Sequence, residues 1–194
     1  MKSPEAKTRV MQYLLWDKNY HAAFTESLGN SDVFGINRSF YTTEIEIKTS
    51  REDLLNELYT IECVITKDNG MMSKLRQRNT KYFKHGSYLG NSYIPGDFRP
   101  NKFYFAIPEE LVDHRLHTLD KTPYGVLVIR NPISTPPAPQ SHYFIEVYRE
   151  ATKIHKDKIK PEIMIKLLRK ATTENLILRE KMYLPVVEHA ENIA

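Results

Sequence analysis

The sequence predicts an α/β domain: a mixed central sheet with helices packed against it. Three observations carry that expectation. Thr43 to Lys48 alternates apolar and charged residues, the period of a strand with one buried face. Phe103-Tyr104-Phe105-Ala106-Ile107-Pro108 and Gly125-Val126-Leu127-Val128-Ile129 are continuous apolar runs, which suit strands covered on both faces. Around them lie segments with apolar residues at three-to-four spacing, as in helices that lie on a sheet.

The elements follow in order. Ser3-Pro4-Glu5 starts a helix, with a capping hydroxyl, a proline in the first turn and an acid near the positive end of the dipole. Val10, Met11, Leu14 and Leu15 form its apolar stripe, and it ends near Asp17. His21 to Leu28 is the first strand, with Glu26 near its end and Gly29-Asn30 as a turn. Ser31 to Ile36 is the second, Asn37-Arg38-Ser39 a turn, and Tyr41 to Lys48 the third. Ser50 and Asp53 make a capping box for a helix whose buried stripe is Leu54, Leu58 and Ile61. Met71 to Tyr88 reads as a basic helix, and Asn91 to Pro100, with two prolines and a glycine, as a loop. A short helix spans Glu109 to His114 between the two buried strands. Pro132 to Gln140, with four prolines, is an extended surface loop, and Tyr143 to Tyr148 an edge strand. Ile159 to Met182 is a long helix with Ile163, Leu167 and Ala171 on one side.

The chain of 194 residues suits one domain, 1–194, ending in a basic helix at about 157–183. Its single cysteine, Cys63, excludes an internal disulfide and a Cys-based zinc finger, and is best read as a small core residue. No apolar run approaches the roughly 20 residues of a membrane helix, and Met1 to Glu5 lack the apolar stretch of a signal peptide. The expectation is a cytoplasmic protein with no membrane partner.

Net charge is only +4, but its distribution is uneven. Between Lys67 and Lys84 the residues Lys67, Lys74, Arg76, Arg78, Lys81 and Lys84 face one acid, Asp68, and a second basic stretch runs from Lys153 to Lys181. Such segments suit a phosphate backbone as well as they suit a solvated face. Tyr82, Phe83 and Tyr88 among them are of the type that stacks on unpaired bases. His114 and His117 have metal-ligand spacing but no third ligand nearby in sequence, so a solvated helix face is the better reading. Trp16 and most tyrosines read as packing residues. No glycine-rich phosphate loop is present.

Alternation sets Glu46 and Lys48 on one face of the third strand, with Cα atoms roughly 6–7 Å apart. Asp32 stands on the neighbouring strand. The Glu46 carboxylate and the Lys48 amine, held like that, can share one metal-bound water. The tripeptide alone carries little, because Glu5-Ala6-Lys7 fits it too and reads as a solvated first turn.

With this order of elements, the chain resembles the PD-(D/E)XK nuclease superfamily, and within it the MmcB-like DNA-repair proteins. The likeness rests on Glu26, Asp32 and Glu46-Ile47-Lys48, then on the helix start Ser50-Arg51-Glu52-Asp53-Leu54. It continues through Lys84-His85-Gly86-Ser87-Tyr88, with His where that family has Trp, and the strand Phe103 to Pro108. Gly125 to Ile129 and Tyr148-Arg149-Glu150-Ala151 keep the family's order, so the likeness spans about residues 20 to 175. Ser31 stands where the superfamily has proline, and the insertion from about Cys63 to Met72 and the Asn91–Pro100 loop depart from its pattern.

The resemblance implies a restriction-endonuclease-like sheet with an αβββαβ core and metal-dependent cleavage of DNA phosphodiesters, in repair or processing. Asp32, Glu46 and the carbonyl of Ile47 are then expected to hold Mg²⁺ or Mn²⁺. Lys48 is expected to orient water and stabilise transition-state charge, with Glu26 in support. Lys74, Arg76, Arg78, Lys81 and Lys84 are the expected DNA contacts. The alternative is a non-catalytic module of the same fold that binds DNA or a protein and recruits another enzyme. A homodimer is left open.

Overall fold

The computed structural model describes residues 2–27, 31–65, 100–130 and 145–191. The expected basic helix of Met71 to Tyr88, the Asn91–Pro100 loop up to residue 99 and the Pro132–Gln140 loop lie outside the described residues. The chain forms two compact units, Met1–Lys158 and Ile159–Ala194.

The first unit holds one six-stranded sheet in the order β1-β2-β3-β4-β5-β6. The strands are β1 (Ala22–Ser27), β2 (Ser31–Ile36), β3 (Thr42–Ile47), β4 (Lys102–Pro108), β5 (Gly125–Ile129) and β6 (Ile145–Arg149). β1, β2 and β3 form an antiparallel meander, β3, β4 and β5 run parallel, and β6 returns antiparallel at the edge. The fold is therefore α/β with a mixed sheet, as the sequence predicts.

Both central strands are covered on both faces, which is why they read as unbroken apolar runs. Phe103, Phe105 and Ile107 of β4 turn to one face. There they pack with Val126 and Val128 of β5, Tyr124, and Leu54, Leu58 and Ile61 of α2 (Arg51–Ile65). Tyr104 and Ala106 turn to the other, with Leu127, Ile129, Val33, Ile45 and Ile47 under α1 (Ser3–Gln12). Full burial of each such side chain contributes about 1.5–3 kcal/mol. Phe103, Phe105 and Tyr124 add ring contacts with centroids 4.5–5.9 Å apart.

Several local expectations change. Lys2, not Ser3, caps α1; Ser3 is the first helical residue and no side chain caps the turn, while Pro4 sits in the first turn as expected. α1 passes directly into a π turn over Tyr13–Asp17, in which Lys18 N–H donates to the Tyr13 carbonyl at 2.9 Å. Val10 and Leu14 are buried as expected, but Tyr13 joins them while Leu15 is only half-buried. Trp16, expected to pack, is 69% exposed on this turn.

The hairpin turn is held by Asn37, whose side-chain oxygen accepts from Ser39 and Tyr41 N–H, with Phe40 at φ 65°. The short helix expected over Glu109 to His114 is instead two 3₁₀ segments, Glu109–Leu111 and His114–Lys121, the second capped by Asp113. Cys63 is buried, as expected of a core residue.

The second unit is helix α3 (Pro161–Glu191), on which Leu167 is buried and Ile163 and Ala171 are half-buried. Among the described residues no helix is long and apolar enough to cross a membrane.

Candidate active site

The end of β3 and the first two turns of α2 position the expected chemistry. Ile45 and Ile47 turn into the core under α1, so alternation sends Glu44, Glu46 and Lys48 to the α2 face. Lys48 follows the last residue of β3, and its N–H donates to the Ala106 carbonyl of β4 at 3.0 Å. The chain then enters α2, where Ser50 Oγ accepts from Asp53 N–H at 3.2 Å. That is one half of the expected capping box. Asp53 instead turns its carboxylate to Lys48, with Oδ1 3.1 Å from Nζ.

Lys48 is only 5% exposed and faces three carboxylates. Nζ lies 3.4 Å from Glu46 Oε1, 3.1 Å from Asp53 Oδ1 and 3.7 Å from Glu57 Oε2. Burial alone pushes the pKa of the ammonium down. Glu46 foremost, then Glu57 and Asp53, outweigh burial and hold it above the ordinary lysine value. Lys48 is thus a fixed cation and a hydrogen-bond donor, not a base at neutral pH.

Asp32 lies one strand away. The antiparallel pairing of β2 with β3 runs from Ile36↔Thr42 to Val33↔Ile45, and one further step sets Asp32 across from Glu46. At that point Asp32 Oδ2 accepts the Ile47 N–H at 2.8 Å, while Oδ1 lies 2.9 Å from Lys7 Nζ of α1. Asp32 is thereby fixed at Ile47, the residue whose carbonyl was expected to join it, and both its oxygens have partners. On the other side, the β1–β2 register of Thr25↔Val33 and Ser27↔Ser31 sets the Glu26 backbone across from Asp32. The Glu26 side chain, like Lys74, Arg76, Arg78, Lys81 and Lys84, lies outside the described residues.

The structure thus brings Glu46 and Lys48 together and sets Asp32 against Ile47. It adds two residues that the sequence reading left outside the site, Glu57 and Lys7. Glu57 is four residues after Asp53, so both stand on one edge of α2 beside the Leu54, Leu58, Ile61 stripe. That spacing was the available signal. Its side chain is 9% exposed, and Oε1 is buried without a hydrogen-bond partner among the described residues. Lys7 corrects the reading of Glu5-Ala6-Lys7 as a solvated turn. It shares the sheet-facing side of α1 with Val10 and Leu14, which carries it to Asp32.

His117 is exposed, as on a solvated helix face, and among the described residues no group of three or more His, Cys, Asp or Glu side chains is arranged to hold a metal ion. The donors at the end of β2 and β3 are two carboxylates and a backbone carbonyl, hard oxygens of the kind Mg²⁺ takes. They fit such an ion in kind, although Asp32 Oδ1 turns to Lys7 of α1 and Glu46 Oε1 to Lys48.

No family model matches the chain, and no curated protein matches it. Among solved structures it is similar to a protein of unknown function from Silicibacter pomeroyi. The TM-score is 0.47 and the identity 16%, over 95% of this chain and 94% of that one.

Proposed function

We propose that the protein is a metal-dependent nuclease that hydrolyses DNA phosphodiesters in repair or processing. The observation that carries this reading is Lys48, a buried cation at the end of β3 with Glu46 beside it and Asp32 on the neighbouring strand. A phosphodiester under attack gains negative charge, and a preorganised ammonium with little freedom to move is suited to stabilise it. Glu46, Asp53 and Glu57 hold Lys48 charged and oriented. Asp32, Glu46 and the Ile47 carbonyl would bind Mg²⁺ or Mn²⁺, which would neutralise phosphate charge and supply hydroxide near neutral pH. Lys74, Arg76, Arg78, Lys81 and Lys84 would track the DNA backbone.

One observation favours a second reading. Lys7 already neutralises Asp32, and Lys48 is already engaged by three carboxylates. Such a closed set of ion pairs also suits a non-catalytic module of this fold that binds DNA or a protein and recruits another enzyme. Purified protein with Mg²⁺ or Mn²⁺ and a panel of DNA forms separates the two. Cleavage stopped by EDTA and lost in Lys48→Ala supports the nuclease. DNA binding without cleavage under either metal supports the module.

A further inference from the structure

On the face of the sheet away from Lys48, a cavity of about 120 Å³ opens beneath the π turn. Its floor is apolar, with Ile45 of β3 and Leu127 of β5, and Leu14 walls it from the helix side. The π turn closes the C-terminal end of the helix. Here it sets Tyr13 and Leu14 against the cavity and ends at Lys18, which also lines it.

The polar groups fall into two sets. At one side Tyr104 donates to Glu150 Oε2 at 2.7 Å, and Lys102 Nζ lies 3.6 Å from the same oxygen. This carboxylate is therefore engaged from within. At the other side Tyr20 and Thr43 share a hydrogen bond of 2.7 Å, and either hydroxyl can turn to a ligand. Lys18 Nζ stands 5.4 Å above the centre of the Tyr13 ring, and among the described residues no carboxylate pairs with it. Lys102 is thus taken up by Glu150, and Asp17 on the same turn acts on Tyr13, so the ammonium left to meet a ligand beside the apolar floor is that of Lys18. Burial foremost raises the pKa of the Tyr13 and Tyr104 phenols, so both remain neutral around pH 7 and add no negative charge.

We propose that this cavity binds a small organic anion: one carboxylate or phosphate group on an apolar body about the size of a single ring. The body lies on Leu14, Ile45 and Leu127, and the head meets Lys18 with the Tyr20 and Thr43 hydroxyls. The volume suits it, since an engineered apolar cavity of about 150 Å³ holds benzene. The site is independent of the chemistry at Lys48.

The test is calorimetric titration of the full chain, without metal, against phenyl phosphate, benzoate, inorganic phosphate and neutral phenol. Phenyl phosphate or benzoate binds saturably, with a dissociation constant of about 10 μM to 1 mM, and the tighter of the two identifies the head group. Phenol and inorganic phosphate, each lacking half of the ligand, bind about tenfold more weakly or not at all. Lys18→Met, at an exposed position that the fold does not need, weakens the anions about tenfold and leaves phenol unchanged. Tyr20→Phe, which keeps the ring, weakens the same anions. Equal affinity for phenol and the anions overturns the proposal, as does indifference to Lys18→Met or the absence of saturation by about 10 mM. Binding lost in Lys48→Ala and kept in Lys18→Met overturns it as well, because the anion then sits on the other face.

Discussion

The Lys48 ammonium and the Glu57 carboxylate face each other at 3.7 Å, with only 6% and 9% of their side chains exposed. The pair ties the end of β3 to the second turn of α2, and its two members are not equivalent. Lys48 has Glu46 and Asp53 as well, whereas Lys48 is the cation within ion-pair distance of Glu57 among the described residues.

Removing Lys48 therefore strands buried carboxylates, and removing the charge of Glu57 does not strand Lys48. Lys48→Ala is expected to cost about 3–5 kcal/mol of stability, the usual range for breaking a buried pair from one side. Glu57→Gln keeps the shape and is expected to cost about 1 kcal/mol. Urea unfolding of both variants measures the asymmetry, and equal losses would contradict this account of the cluster.

The same ammonium makes stability depend on alkaline pH. Its folded pKa is raised, so its contribution is complete below the ordinary lysine value near 10.4 and is lost as pH climbs through the higher folded value. Burial also raises the phenols of Tyr13, Tyr20 and Tyr104. The unfolded chain sheds those protons from about pH 10 while the folded chain keeps them, so the effect has the same sign. Thermal midpoints should hold between pH 7 and 9 and decline above about pH 10. Tyr104→Phe, which retains the ring, should make that decline shallower; an unchanged slope would remove Tyr104 from it.

Gly125 begins β5 where an added Cβ would lie 2.4 Å from the Tyr104 ring and 2.7 Å from the backbone nitrogen of Ala151. The ring is packed in the sheet, and the nitrogen belongs to the backbone just after β6, so neither yields cheaply. Gly125→Ala should destabilise by about 1–3 kcal/mol, the usual cost of overpacking. Denaturant unfolding with an unchanged midpoint would mean that this corner is looser than its contacts imply.

How far the sequence revealed the molecule depended on whether a signal was periodic. β2 falls on Ser31–Ile36 as predicted, and β1, β3, β4 and β5 within a residue or two, because alternation and unbroken apolar runs follow directly from burial on one face or two. Tyr13 stands three residues after Val10 on the same helical face and was legible from that spacing, whereas Trp16 falls off that face and its size alone suggested packing. In the site, Glu46 and Lys48 followed from strand alternation alone. Glu57 and Lys7 did not, because charges on the polar edge of a helix are usually solvated. Only the sheet beneath decides which of them are drawn inward.

If the basic segment from Lys74 to Lys84 tracks phosphates, DNA affinity should fall with salt by roughly 0.7–0.9 log units per contact per decade. Replacing Lys74, Arg76 and Lys81 with Ala should flatten that dependence by about two to three units of slope. A slope that does not move would return the segment to a solvated surface.

The reaction itself is best tested with two substitutions that act differently on the fold. Asp32→Asn retains an oxygen for the Ile47 N–H and loses only the charge that meets Lys7, a pair about one-fifth exposed on each side. Its effect on stability should stay within about 1 kcal/mol. A carboxylate that holds a cation cannot be replaced by an amide without loss, so cleavage should fall by at least about 10²-fold. Lys48→Ala should lower the rate of cleavage by about 10²–10³-fold, the usual effect of deleting one group that stabilises developing charge. DNA affinity, measured at a temperature where each variant is folded, should remain near that of the parent, since the loss falls on the chemical step. Single-stranded, duplex, flapped and four-way DNA should all be offered with Mg²⁺ and with Mn²⁺. Cleavage that survives both substitutions comes from another site or a contaminant, and the assignment to β2 and β3 is then wrong. Binding without cleavage of any form by the parent protein would leave these ion pairs as the clasp of a recruiting module.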